Sequence, residues 1–145
     1  MNRYCLALEN SKIDISFIVI KALKIIPHNN LNWYILELSA SGLLESNILK
    51  MNMLELTTQI RDSENGIKLS FEQLLEIVKR LDSIDECFIV GCNFENKKSI
   101  SEIYQKKNDY IYIFDYFDST LFKLNTLNLE YMTILLQLLK KFPML

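Results

Sequence analysis

Residues 110–117, YIYIFDYF, leave this chain few ways to fold. In an extended segment successive side chains point to opposite faces. Tyr110, Tyr112, Phe114 and Tyr116 therefore share one side, and Ile111, Ile113, Asp115 and Phe117 the other. Both sides are apolar until Asp115. Such a strand belongs inside a sheet, covered on each face or facing a partner, because exposing either side to water is costly. Asp118-Ser119-Thr120 then supplies turn-forming residues, and LFKLNTL (121–127) is extended again. The pair reads as a β-hairpin.

The rest of the chain supplies what covers that strand. NRYCLALE (2–9) alternates and predicts a first strand. From Asp14 to Ile26, ended by Pro27, the residues Ile15, Ile18, Val19, Ala22, Leu23 and Ile26 fall on one helical stripe with Asp14 as cap, although this β-branched run also suits a strand. NWYILELSA (32–40) is a strand closed by Ser41-Gly42. Residues 52–61 predict a helix with Met53, Leu54 (or Leu56) and Ile60 inward, and 62–66 a loop. SFEQLLEIVKRLDSI carries the clearest helix signal: Ser70 and Gln73 form a capping box, and Phe71, Leu74, Leu75, Val78 and Leu81 form the apolar face. Glu76 and Arg80 pair one turn apart. ECFIVGCN (86–93) is a short buried strand, Ser99 caps one or two helical turns, and a terminal helix starts at Asn128 with Glu130 in its first turn and Lys140 and Lys141 in its last. The order β-α-β-α-α-β-(α)-β-β-α predicts an α+β fold: a largely antiparallel sheet of about five strands, including the C-terminal hairpin, with helices packed on it. The 145 residues show no repeat or linker and read as one domain, 1–145.

Charge and inventory exclude several classes of function. A net charge of −2, with basic residues only as short pairs such as Lys97-Lys98, lacks the basic stripe that nucleic acid demands. The apolar run 15–26 carries Lys21 and Lys24 and is shorter than the about 20 residues a bilayer takes, so no membrane segment is expected. Cys5, Cys87 and Cys92 are odd in number and follow no signal peptide, which favours a reducing cytoplasm over a disulfide framework. They form no paired CxxC, and His28 is distant, so neither a metal nor a cofactor is expected.

Catalysis lacks parts. A thiol nucleophile needs a base to lower its pKa, His28 is the only histidine, and all three cysteines lie on predicted strands. No GxSxG elbow or glycine-rich phosphate loop occurs. Asp115 and Asp118 form a divalent-metal pair only if Asp118 has left the strand. The simpler reading has Asp118 starting the turn and accepting from the backbone amide two residues on. An enzyme is not expected. The remaining resource is surface: tyrosines and acids that suit a protein partner. Asp82, Asp85 and Glu86, taken as one helix end and loop, together with Glu95, Tyr116 and Asp118, are the candidate partner-binding residues, the carboxylates steering a basic protein.

NWYI (32–35) after a helix, LSFEQLLEIVKRLDSIDECFIVG (69–91) and IYIFDYFDSTLFKL (111–124) resemble small bacterial immunity-type proteins, the antidotes to secreted or contact-delivered toxins. The pattern is a tryptophan-bearing strand, a Ser-capped helix, a buried strand and an aromatic strand ending in Asp-Ser-Ser/Thr. It covers about half the chain, and Leu121-Phe122 shifts by one the aromatic that follows in similar proteins. The resemblance implies neutralisation of a cognate toxin, often a nuclease, by direct binding in the cytoplasm. The alternative is an adaptor or regulatory binding module of unrelated role.

Overall fold

The computed structural model describes residues 2–9, 14–42 and 51–141. Six strands form one antiparallel sheet: β1 (Tyr4–Glu9), β2 (Asn32–Gly42), β3 (Ile67–Leu69), β4 (Leu81–Cys92), β5 (Tyr112–Phe117) and β6 (Leu121–Thr126), in the spatial order β1-β6-β5-β4-β2-β3. The helices are α1 (Ile15–Lys24), α2 (Met53–Asp62), α3 (Phe71–Lys79), α4 (Ile100–Gln105) and α5 (Leu129–Leu139), with a 3-10 turn at Lys107–Asp109. The α+β class and the C-terminal hairpin are as expected. The additional strand is β3, whose three residues pair with Trp33–Ile35.

One face of the sheet carries α1, α3 and α5. The stripe of α1 is buried throughout, from Ile15 to Leu23, each of its Ile, Val and Leu side chains worth about 1.5–3 kcal/mol of apolar burial. Asp14 caps this helix by accepting from Phe17 N–H at 3.1 Å, which settles helix over strand for the segment. Ser70 and Gln73 form the expected capping box on α3, and Asn52 with Glu55 forms another on α2. Asn128 caps α5. Tyr131 on α5 donates to Ala22 O at 2.6 Å, and Ser16 on α1 accepts from Ile84 N–H at 2.7 Å, so the helices are tied to one another and to the sheet. Trp33, opposite Gly91 and next but one to Tyr112 across the strands, lies at the centre of this layer. In α2 the inward residues are Leu56 and Ile60; Leu54 is 75% exposed.

Two expectations are corrected. The helix read through Ile84 stops at Lys79, and β4 begins at Leu81 rather than at Glu86. Leu81 and Ile84 are spaced three apart, which fits a helical stripe, but pairing with Ala40 and Gly42 on the long tail of β2 holds them extended. Register shifts beside Asp82 and Asp85 take up the odd residues as bulges. In the aromatic stretch, Tyr110 does not share a side with Tyr112: it precedes the strand and joins the opposite core cluster.

Candidate functional site

The second face of the sheet is covered only in part. At one end, Ile103 of α4 and Tyr110 close over Tyr34, Phe88, Val90 and Ile113. Tyr110 Oη donates to Asn96 Oδ1 at 2.6 Å, and Asn96 in turn donates to the Asn65 and Lys98 carbonyls, which clamps this cover in place. Tyr104 stands at the border, its ring 5.6 Å from that of Phe88. Beyond it the face opens to solvent.

A charged row crosses the sheet at this border. Glu37 on β2 is opposite Phe88 on β4, which is opposite Asp115 on β5, which is opposite Lys123 on β6. Glu86 and Phe117 lie two residues further along their strands, and Phe117 is 62% exposed. The row exists because β2 bulges at Leu36. Ile35 pairs with Ile89 but Glu37 with Phe88, so Glu37 is turned away from the helical layer that holds Trp33 and Ile35.

The electrostatics of this row are unfavourable by construction. Burial raises the Glu37 carboxyl above its usual range, and repulsion from Glu86 and then Asp115 raises it further. Burial likewise raises Asp115, against the lowering effect of Lys123. Lys123 is opposite Asp115 alone, while Glu37 and Glu86 lie on the strands beyond it. Burial, and then the charge of Asp115, also drives the Cys87 thiol strongly upward, away from the thiolate form a nucleophile needs.

The structure divides the candidate partner residues expected from sequence. Asp82, Asp85 and Glu86 lie on β4, not at a helix end; the two aspartates are exposed at bulges, and Glu86 belongs to the charged row. Asp118 joins them at the same end. Asp118 and Ser119 both have positive φ (48° and 55°), the pattern of a type I′ turn, and Thr120 N–H is accepted by Phe117 O at 2.9 Å rather than by the Asp118 side chain. Ser119 N–H donates to Asp85 O at 2.9 Å, which joins this turn to the β4 bulge. Tyr116 is buried in the helical-side core and offers no ring to a partner. Glu95 sits at the other end of β4, paired with Lys68, which holds its carboxyl below the usual range. Among the described residues no group of three or more His, Cys, Asp or Glu is arranged to hold a metal ion, and no helix is long and apolar enough to cross a membrane.

Sequence reasoning passed over Glu37, Phe117 and Lys123, and treated Asp115 as a strand residue beside a turn. A usable signal was present: Glu37 and Asp115 each interrupt an otherwise apolar strand. No protein family, curated protein or solved structure matches this chain.

Proposed function

We propose that this chain is a non-catalytic binding protein of the immunity type, which neutralises a toxin domain by seating a basic part of it on the open half of the second sheet face. The observation that carries the reading is the grouping of Glu37, Glu86 and Asp115 on one face of three neighbouring strands, where burial and the two neighbouring carboxylates raise Glu37 and burial raises Asp115, with Lys123 as the cation opposite Asp115. A fold gains nothing from such a group on its own. A partner's lysine or arginine placed over it relieves the repulsion, so the strain is repaid only in a complex. Phe117 beside the carboxylates supplies an apolar anchor of the kind that dominates interface energies. Asp82, Asp85 and Asp118, at the same end, extend the negative field that steers a basic partner toward it.

The reading is tested by inducing the C-terminal domain of the protein encoded immediately upstream, with and without this chain, and scoring growth. Rescue by the wild type, lost when Glu37 and Asp115 are both changed to Lys at an unchanged fold, supports it. A neighbour that is harmless alone, or toxic regardless, moves the weight to an adaptor role. Rescue that survives both substitutions removes the acidic face from the interface.

A further inference from the structure

Asn65 is the one asparagine of this chain that is followed by glycine. In such a pair the glycine nitrogen can reach the asparagine side-chain carbonyl, because no Cβ on the glycine stands in the way. The fold requires this glycine. Gly66 has a φ of +84°, in the left-handed region, and a methyl group built on it would meet Leu36 Cγ at 2.9 Å and Ile35 O at 3.0 Å. The pair lies in the loop between α2 and β3, and both residues are partly exposed.

Among the described residues, neither the Asn65 carboxamide nor the Gly66 N–H makes a hydrogen bond. No such bond holds the side chain back or occupies the attacking nitrogen. We infer that Asn65 is a site of spontaneous covalent modification, in which its side-chain amide is exchanged for a carboxylate through a succinimide. The Gly66 nitrogen attacks Asn65 Cγ, and the new C–N bond closes a cyclic imide. The side-chain nitrogen takes up the proton lost by Gly66 and leaves as ammonia. Water then opens the ring at either carbonyl. Cleavage at Cγ gives aspartate, and cleavage at the backbone carbonyl gives isoaspartate. One water is consumed and one ammonia released, with no oxidant or cofactor.

The second product disturbs the fold. In isoaspartate the chain runs through Cβ and Cγ, so the backbone gains an atom just before β3, and the former Asn65 carbonyl becomes a free carboxylate. That carbonyl accepts from Asn96 Nδ2 at 2.9 Å, and Asn96 Oδ1 accepts from Tyr110 Oη, which clamps the cover of the second sheet face. β3 has only three residues with which to keep its register against Trp33–Ile35. Conversion therefore releases β3 and loosens the Asn96 clamp. It needs no partner, so the inference stands apart from the proposed function.

Storage of the folded full chain in mildly alkaline buffer, followed by tryptic digestion and mass spectrometry, tests it. Cleavage after Arg61 and Lys68 isolates residues 62–68, in which Asn65 is the only asparagine. This peptide is expected to gain the amide-to-acid mass difference ahead of every other asparagine-bearing peptide. Methylation by an isoaspartyl methyltransferase is expected to register the isoaspartate. Asn65→Gln, whose longer side chain would have to close a larger ring, is expected to lose both signals. In the isoaspartate-bearing chain, separated by ion exchange, amide exchange at Ile67–Leu69 is expected to be faster than in the unconverted chain. Conversion that occurs only after unfolding in urea, conversion first at another asparagine, conversion without isoaspartate, or unchanged exchange in β3 overturns the inference.

Discussion

Replacement of Gly91 by alanine tests how tightly the helical side of the sheet is packed. A methyl group built on Gly91 meets Cη2, Cζ3 and Cζ2 of Trp33 at 2.8, 2.9 and 3.0 Å. Carbon atoms rest comfortably at about 3.5–4.0 Å, so the indole has to retreat by roughly 0.7 Å or more. It has little room to do so. Trp33 is fully buried, with Tyr112 at 5.3 Å, Phe71 at 6.2 Å and Phe114 at 6.5 Å between ring centroids, and its Nε1 donates to Asn29 Oδ1 at 2.9 Å. Overpacking of this kind costs about 1–3 kcal/mol. Removing a glycine from the unfolded chain returns about 0.4–1 kcal/mol. The net expectation is a loss of about 1–2 kcal/mol, or a fall in Tm of roughly 3–8 °C for a chain of this size. Urea unfolding followed by the fluorescence of Trp33, the single tryptophan, measures the first value. Introducing Gly91→Ala into a Trp33→Phe background isolates the cause, since the smaller ring leaves space for the methyl. The penalty is then expected to fall below about 0.5 kcal/mol, a coupling typical of residues in direct contact. A Gly91→Ala chain as stable as the wild type, or an equal penalty in both backgrounds, refutes the argument.

The remaining expectations concern the charged face and its neighbouring turn. Folded Glu37 and Asp115 keep their protons to higher pH than in the unfolded chain, so the folded state binds more protons across that window and gains stability as pH falls through it. Glu95 and Glu102, lowered by Lys68 and by Ser99, act in the opposite sense, but their contribution is lost only as pH falls into the ordinary carboxylate range and below. The urea midpoint is therefore expected to be higher at about pH 5 than at about pH 7; a fall over that interval contradicts the assignment. Glu37→Gln is expected to stabilise the free chain by about 0.2–0.5 kcal/mol, a small figure because solvent screens this half-exposed group, and to weaken partner binding. Stability and binding that move together would count against the reading. Ser119→Gly relieves the positive φ of the turn but removes the hydroxyl that donates to Asp85 O at 3.3 Å and bonds Tyr116, so thermal unfolding is expected to show a gain below about 0.5 kcal/mol or a loss, with a gain of about 1 kcal/mol as the contrary result.

What the sequence discloses of this fold depends on how local each cause is. The α1 stripe, the Ser70–Gln73 cap and the hairpin around Asp118 are written within a few neighbouring residues, and each forms where expected. β3 is not legible, because three residues are too few for a period and its partner lies over thirty positions away at Trp33–Ile35. The segment 81–86 satisfies a helical spacing and an extended one equally, and only pairing with the tail of β2 decides between them. The charged row is least legible of all. By simple alternation Glu37 belongs with Trp33 and Ile35, inside the helical layer. The bulge at Leu36 reverses that, and nothing within the strand itself announces a bulge.

That reversal separates two sets of obligations within the same strands. Trp33, Ile35, Cys87, Ile89, Phe114 and Tyr116 answer to the helices, and changes there are constrained by close packing. Glu37, Glu86, Asp115, Phe117 and Lys123, interleaved with them, lie outside that core, with only the flanks of α2 and α4 bordering Glu37, Asp115 and Lys123. The second set can be rewritten, charge by charge and ring by ring, while the first is left intact. The outward face of this sheet can therefore be changed at alternate positions of β2, β4, β5 and β6 without disturbing the packing beneath it.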